Sequence, residues 1–144
     1  MRRTYAVVIL VGLLCLGTAG TTLGAGQSRT VWDGIYTDEQ ADRGDSLYQD
    51  ACASCHGQDL SGGQMVPELI GGEFTWNWSG LTIGQLFERL RISMPQEDPA
   101  SVSRQEKADI LAFILRANEF PAGAKELASR AEMLNQFMFE ALKP

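Results

Sequence analysis

The chain has one histidine, His56, and three cysteines among 144 residues. One histidine rules out any site built from an imidazole pair. A structural zinc site wants four nitrogen or sulfur ligands. With Cys52, Cys55 and His56 assigned, the only such residue left is Cys15, inside a hydrophobic leader. No convincing strand pattern surrounds the Cys52/Cys55 pair, so the βαβ setting of a thioredoxin-like redox pair is lacking too. Basic residues are outnumbered, 12 Lys and Arg against 18 Asp and Glu, for a formal net charge of −6. That sign disfavours nucleic-acid binding, which depends on neutralising phosphates. There is no internal repeat or low-complexity tract. No apolar run reaches the ~20 residues that span a bilayer as a helix.

What the chain does have is concentrated in Cys52-Ala53-Ser54-Cys55-His56. C-x-x-C-H is the attachment pattern of a c-type haem. The two thiols add across the haem vinyl groups as thioethers, and the adjacent histidine supplies an imidazole nitrogen to the iron. On one turn of helix the spacings of three and four put all three side chains on one face. The segment is therefore expected to be helical at least up to Cys52.

The start of the chain reads as a secretory signal peptide over residues 1–26. Arg2 and Arg3 are basic, Tyr5 to Leu16 is apolar except for Gly12, and small residues follow. Cleavage is expected between Leu23 and Gln27. An uncleaved anchor is the alternative. Leu14 is bulky where a lipidation site before Cys15 wants a small residue. With Cys15 gone and Cys52 and Cys55 in thioethers, no thiol remains for a disulfide in an oxidising compartment. The 118 residues from Gln27 make one small domain, carrying 10 basic against 18 acidic residues, or −8. An acidic surface suits a partner with a basic patch, or simply keeps an exported protein soluble.

The rest reads as helices joined by loops. Thr37 with Gln40, Thr82 with Gln85 and Ser103 with Glu106 are capping boxes opening three helices. The first runs through Ala41, Leu47, Tyr48 and Ala51. The second stops before Pro95, because the residue before a proline disfavours helical geometry. The third runs through Ile110, Leu111, Ile114 and Leu115 to about Asn118. Gly57 to Glu73, rich in glycine, reads as a loop. Pro121 and Gly123 mark a break, and Leu127, Leu134, Phe137, Met138 and Ala141 then recur at roughly helical spacing.

A methionine is the candidate for the second iron ligand. Met133 and Met138 lie on the apolar stripe of the tail and read as core. Met65 and Met94 remain. Met94 is favoured, because Ser93-Met94-Pro95 places it on a rigid turn at a helix end, whereas Met65 lies only nine residues past His56.

These residues resemble a bacterial class I cytochrome c, over roughly Asp38 to Asn118. The resemblance rests on Cys52 to His56, on Pro67 and Leu69 in the following loop, on Met94-Pro95, and on a closing amphipathic helix. The stretch from Trp32 and Tyr36 to Cys52, and the ending from Pro121 to Pro144, look like exported single-haem cytochromes. The resemblance implies an all-α fold of three to five helices and long loops around one covalently attached haem c, with a cytochrome domain over 27–120 and an extension over 121–144 packed on it. It implies haem attachment outside the cytoplasm. It implies that the Pro67 carbonyl accepts the second ring N–H of His56, that Leu69 lies on the histidine face of the haem, and that Gly44 and Tyr48 meet Ile110 and Phe113 where the first and last helices cross. Trp78 either donates its indole N–H to a haem propionate or packs in the core, and Trp76 is too near in sequence to be told from it.

Function follows from coordination. Iron held by histidine and methionine has no vacant position, and the thioether favours the ferrous state. The expected function is a periplasmic one-electron carrier, not an enzyme, between a dehydrogenase or quinol-oxidising complex and an oxidase or reductase. It is a monomer or a complex subunit, with membrane contact only through an uncleaved leader. Two alternatives are a subunit fixed to a periplasmic dehydrogenase by the tail, and a five-coordinate haem sensor or peroxidase-like protein.

Overall fold

A computed structural model describes residues 29–144. The leader, Cys15 and the cleavage site lie outside the described residues. Six α-helices occupy Asp38–Ala51 (α1), Ala53–His56 (α2), Gly71–Trp78 (α3), Ile83–Ser93 (α4), Arg104–Ala117 (α5) and Ala131–Leu134 (α6). Two single 3-10 turns, Val31–Asp33 and Pro99–Ser101, and two strands of two residues each, Arg29–Thr30 (β1) and Phe137–Met138 (β2), complete the described elements. The architecture is all-α. It has more helices than the expected three to five, because α2 and α6 are single turns of four residues. No described helix is long and apolar enough to cross a membrane.

Local sequence accounts for the helix starts. Thr82 and Ser103 each accept the backbone N–H of the third residue beyond, and Gln85 and Glu106 reach back to complete the reciprocal box. At α1 only half of that pattern forms. Thr37 accepts the Gln40 N–H at 3.2 Å, but the Gln40 side chain turns inward and is fully buried. Its amide nitrogen donates to Asp109 Oδ1 at 3.0 Å and to the Leu127 carbonyl at 3.1 Å, while its oxygen accepts the Leu127 N–H at 2.6 Å. A buried amide satisfied at both ends outweighs an exposed cap.

The helix pair α1 and α5 forms the frame. They approach so closely at Gly44 that a Cβ there would lie 1.9 Å from the Asp109 carbonyl oxygen. Glycine is needed here for space, although it weakens an isolated helix by about 1 kcal/mol relative to alanine. One turn further on, the Tyr48 and Phe113 rings pack at 5.3 Å between centroids. Ile110, Leu111, Ile114 and Leu115 bury the opposing face of α5.

Three expectations from sequence need correction. Gly71 to Trp78 is a helix, although its first three residues read as the end of a loop. Gly71 starts it because its N–H is an orphan of the first turn and is taken by Asn118 Oδ1 at 3.0 Å. Phe74 then buries against the core. The tail is not one helix. Only Ala131–Leu134 is helical, and β2 then pairs in parallel with β1 in the register Arg29 to Phe137 and Thr30 to Met138. Leu127, Leu134, Phe137 and Phe139 are buried, so the apolar spacing marks inward residues of an irregular strap. Met133, read as core, is 46% exposed. The strap is tied by the Trp32 indole N–H to the Glu140 carbonyl at 2.9 Å and by the Phe139 N–H to the Leu81 carbonyl at 2.7 Å. Phe120 sits between Trp32 and Phe139, 4.8 and 5.1 Å from them.

Candidate haem site

The α1 helix delivers the C-x-x-C-H segment. Helical geometry ends at Ala51, and Cys52 departs from it at φ −125°, ψ −35°. The Cys52 N–H still reaches the Tyr48 carbonyl at 2.8 Å. Its own carbonyl accepts the N–H groups of Cys55 and His56 at 3.1 and 3.0 Å. One carbonyl thus gathers the turn carrying all three candidate residues, by a bend at Cys52 rather than one continuous helix. The Tyr48 hydroxyl locks the exit by donating to the Gly57 carbonyl at 2.7 Å.

His56 is 8% exposed. Its Nδ1 lies 3.0 Å from the Pro67 carbonyl oxygen. A carbonyl only accepts, so Nδ1 carries the proton and donates. The neutral ring then has its lone pair on Nε2, the form in which imidazole binds a metal. The same bond fixes the ring plane.

Cys52 is half-buried and Cys55 exposed, and both are free thiols. Burial pushes the Cys52 thiol up to about 11, against the pull of the Lys107 ammonium, and the neighbouring Cys55 adds slightly to the rise.

The loop after His56 is pinned at its far end. The Leu69 N–H donates to the Leu60 carbonyl at 2.8 Å. The Leu69 carbonyl accepts from Asn118 Nδ2 at 2.9 Å. Asn118, at the C-cap of α5, also bonds Gly71 and the Ile114 carbonyl. It therefore ties the histidine loop to the last helix. Sequence reading saw it only as a helix end, and its signal is an amide side chain at a C-cap.

Met94 caps the C-terminus of α4 and is half-buried, with its N–H on the Leu90 carbonyl at 3.1 Å and a cis peptide bond to Pro95. Met65 is 93% exposed. Trp78 ends α3, half-buried against the core, while Trp76 is 62% exposed. Sequence reading missed Lys107 altogether. It is 2% exposed and donates through Nζ to the carbonyls of Arg91 at 2.9 Å and Pro99 at 2.6 Å. Its signal was a lysine one turn before Ile110 and Leu111 on the buried stripe of α5.

The donor set fits a haem better than a bare ion. Two unpaired thiols three residues apart match two vinyl groups, and one oriented imidazole matches one iron face. No described cluster of three or more His, Cys, Asp or Glu residues could cage a metal unaided. A family model described as cytochrome c oxidase, cbb3-type, subunit III matches residues 39–114, more than half of the chain. The chain belongs to this family. Its matched region is a c-type cytochrome domain, and membership implies a covalently bound haem c, for which Cys52 and Cys55 stand in the attachment motif. Such a domain is an electron-transfer module, not a catalyst. The match spans α1 to the last turn of α5, which includes the Gly44 crossing and the His56 loop but not the strap. No curated protein and no solved structure gave a match.

Proposed function

We propose that this cytochrome is a periplasmic one-electron carrier whose iron is held between His56 and Met94. When bound, the haem supplies a one-electron couple in which no bond at the metal has to break. The chain's part is to hold two ligands still and to keep the edge of the group near the surface. The observation that carries this reading is the His56–Pro67 hydrogen bond, which presets the tautomer and direction of one ligand. Met94 is preferred to Met65 because it is half-buried at the end of a rigid helix, while Met65 is almost wholly in solvent. Leu69 and Trp78, both partly buried, would help hold the group, Leu69 by apolar contact on the histidine face and Trp78 through its indole N–H to a propionate. Export through residues 1–26 belongs to the same proposal, since haem attachment of this type takes place outside the cytoplasm. The electron donors in view are a dehydrogenase or a quinol-oxidising complex, and the acceptors an oxidase or a reductase.

The burial of Leu127, Leu134, Phe137 and Phe139 supports a self-contained carrier over a subunit docked through its tail. The test is an optical and redox titration of holoprotein, exported in a host able to attach haem, with size-exclusion chromatography alongside. The expected result is a monomer with a methionine–iron charge-transfer band, lost together with a fall in potential in Met94→Ala. A Met94→Ala protein with an unaltered ferric spectrum and potential contradicts the ligand assignment and favours five-coordinate iron.

A further inference from the structure

Lys107 is a buried cation for which electron transfer as described so far has no use. It lies in the first turn of α5, is 2% exposed, and pairs with no carboxylate among the described residues. Burying a charge without a counter-ion is costly, so its two acceptors matter. One is the Arg91 carbonyl, among the last carbonyls of α4, where the helix dipole is negative and no intrahelical donor remains. The other is the Pro99 carbonyl, at the start of the 3-10 turn. These two carbonyls bracket Met94 in sequence. A single ammonium therefore ties both ends of the segment carrying the methionine to α5.

We propose that Lys107 is a positioning residue for Met94 and places a fixed positive charge beside the haem that raises its reduction potential. The inference rests on the proposed Met94 ligation. The charge sits at the segment that carries the proposed ligand, because its two acceptor carbonyls flank Met94. Oxidation adds one positive charge at the iron, so a nearby cation disfavours it. Removing that cation makes the ferric form easier to reach.

The experiment compares wild-type holoprotein with Lys107→Met and Lys107→Gln by spectroelectrochemical titration, and follows the methionine–iron band through urea. Both neutral variants are expected to shift the ferric-to-ferrous ratio at fixed potential towards ferric by about tenfold, equal to 59 mV for one electron. Lys107→Met, which also lacks a donor for the two carbonyls, loses the band at lower urea than Lys107→Gln. Unchanged potentials in both variants overturn the inference while leaving Met94 as ligand. Absence of the band from wild type overturns the Met94 assignment and this inference with it. Should Lys107→Met not mature, Lys107→Gln carries the potential measurement. Acetylation of wild-type holoprotein tests the clamp without mutation. Lys125 and Lys143 are exposed and react first, while Lys107 resists until the band is lost. Acetylation of Lys107 with the band intact overturns the clamp.

Discussion

At the α1–α5 crossing, the Asp109 backbone fills the space a Gly44 side chain would need, and Gln40, Asp109 and Arg43 form a closed hydrogen-bonded set reaching to Leu127 and Glu126. The stretch from His56 to Met94 is organised differently. It is a loop, a short helix and a helix end, held by single bonds such as His56 to Pro67 and Asn118 to Leu69, with Met65 and Trp76 turned to solvent. The first region is specified by protein packing against protein. The second holds every candidate haem contact except the Cys52 and Cys55 sulfurs, and its bonds orient single groups rather than fill a core. Substitutions in the frame should therefore cost stability, while substitutions in the ligand stretch should change ligation and potential at nearly constant fold.

The strongest challenge to that division is Cys52→Ala with Cys55→Ala. The expected result is loss of pigment from the denatured polypeptide, and retention of pigment through acidified acetone in the wild type alone. A double variant that kept its colour through that treatment would contradict covalent attachment. Next comes Gly44→Ala. The inserted methyl group meets backbone, which cannot move aside as a side chain can. Overpacking should cost about 3 kcal/mol, more than the ~1 kcal/mol that alanine returns in helix propensity. Chemical denaturation of the holoprotein reads this, and a stability equal to or above wild type would show that the crossing is not tight.

Gln40→Ala removes the amide that bonds both the N–H and the carbonyl of Leu127 and should cost about 1–3 kcal/mol by leaving buried groups unpaired. Its potential should match wild type, since Gln40 serves the frame. A shifted potential with unchanged stability would erase the contrast between the two regions. Trp78→Phe sharpens the ligand side. With an indole bond to a propionate, the potential moves while stability changes little, whereas core packing alone predicts the reverse.

The smallest effect concerns Glu106. Its side chain caps α5 by accepting the Ser103 N–H at 2.7 Å, and hydrogen bonds from the Ser103 hydroxyl and then its backbone hold the carboxyl below its ordinary value. A depressed folded value means the contribution is present above the unfolded pKa of roughly 4.3 and is lost as pH falls through the folded one. A Glu106→Gln protein should thus melt slightly lower than wild type at neutral pH and converge with it in acid. Parallel melting curves across that range would show that the charge adds nothing to the cap.

Much of this was legible from residue order because the rules involved are local. The Thr82 and Ser103 boxes, the stop before Pro95 and the C-x-x-C-H turn each depend on neighbours within about one helical turn. The Gly44 crossing is readable only through resemblance, because a glycine in a helix looks like a weakness until its partner is known. The strap misleads for a related reason. Leu127, Leu134 and Phe137 recur at a helical interval, yet each is buried by a different long-range contact, and apolar spacing alone does not separate a helix from an irregular segment lying on a core. The short helix after Gly71 escapes notice because its first N–H is satisfied by Asn118, 47 residues away.

By itself, the order of residues determined the chemistry on offer: two thiols and one imidazole on a single turn, two candidate thioethers, an acidic balance of charge, and three helix starts with their caps. Only the tertiary structure decided how the tail closes over Trp32 and Phe120, that Asn118 ties Leu69 and Gly71 to the last helix, and that Lys107 lies buried against Arg91 and Pro99. Bonds within a turn are encoded by adjacency. Bonds between distant segments exist only after the backbone has paid the entropy of bringing them together, and the pattern along the chain does not record their partners.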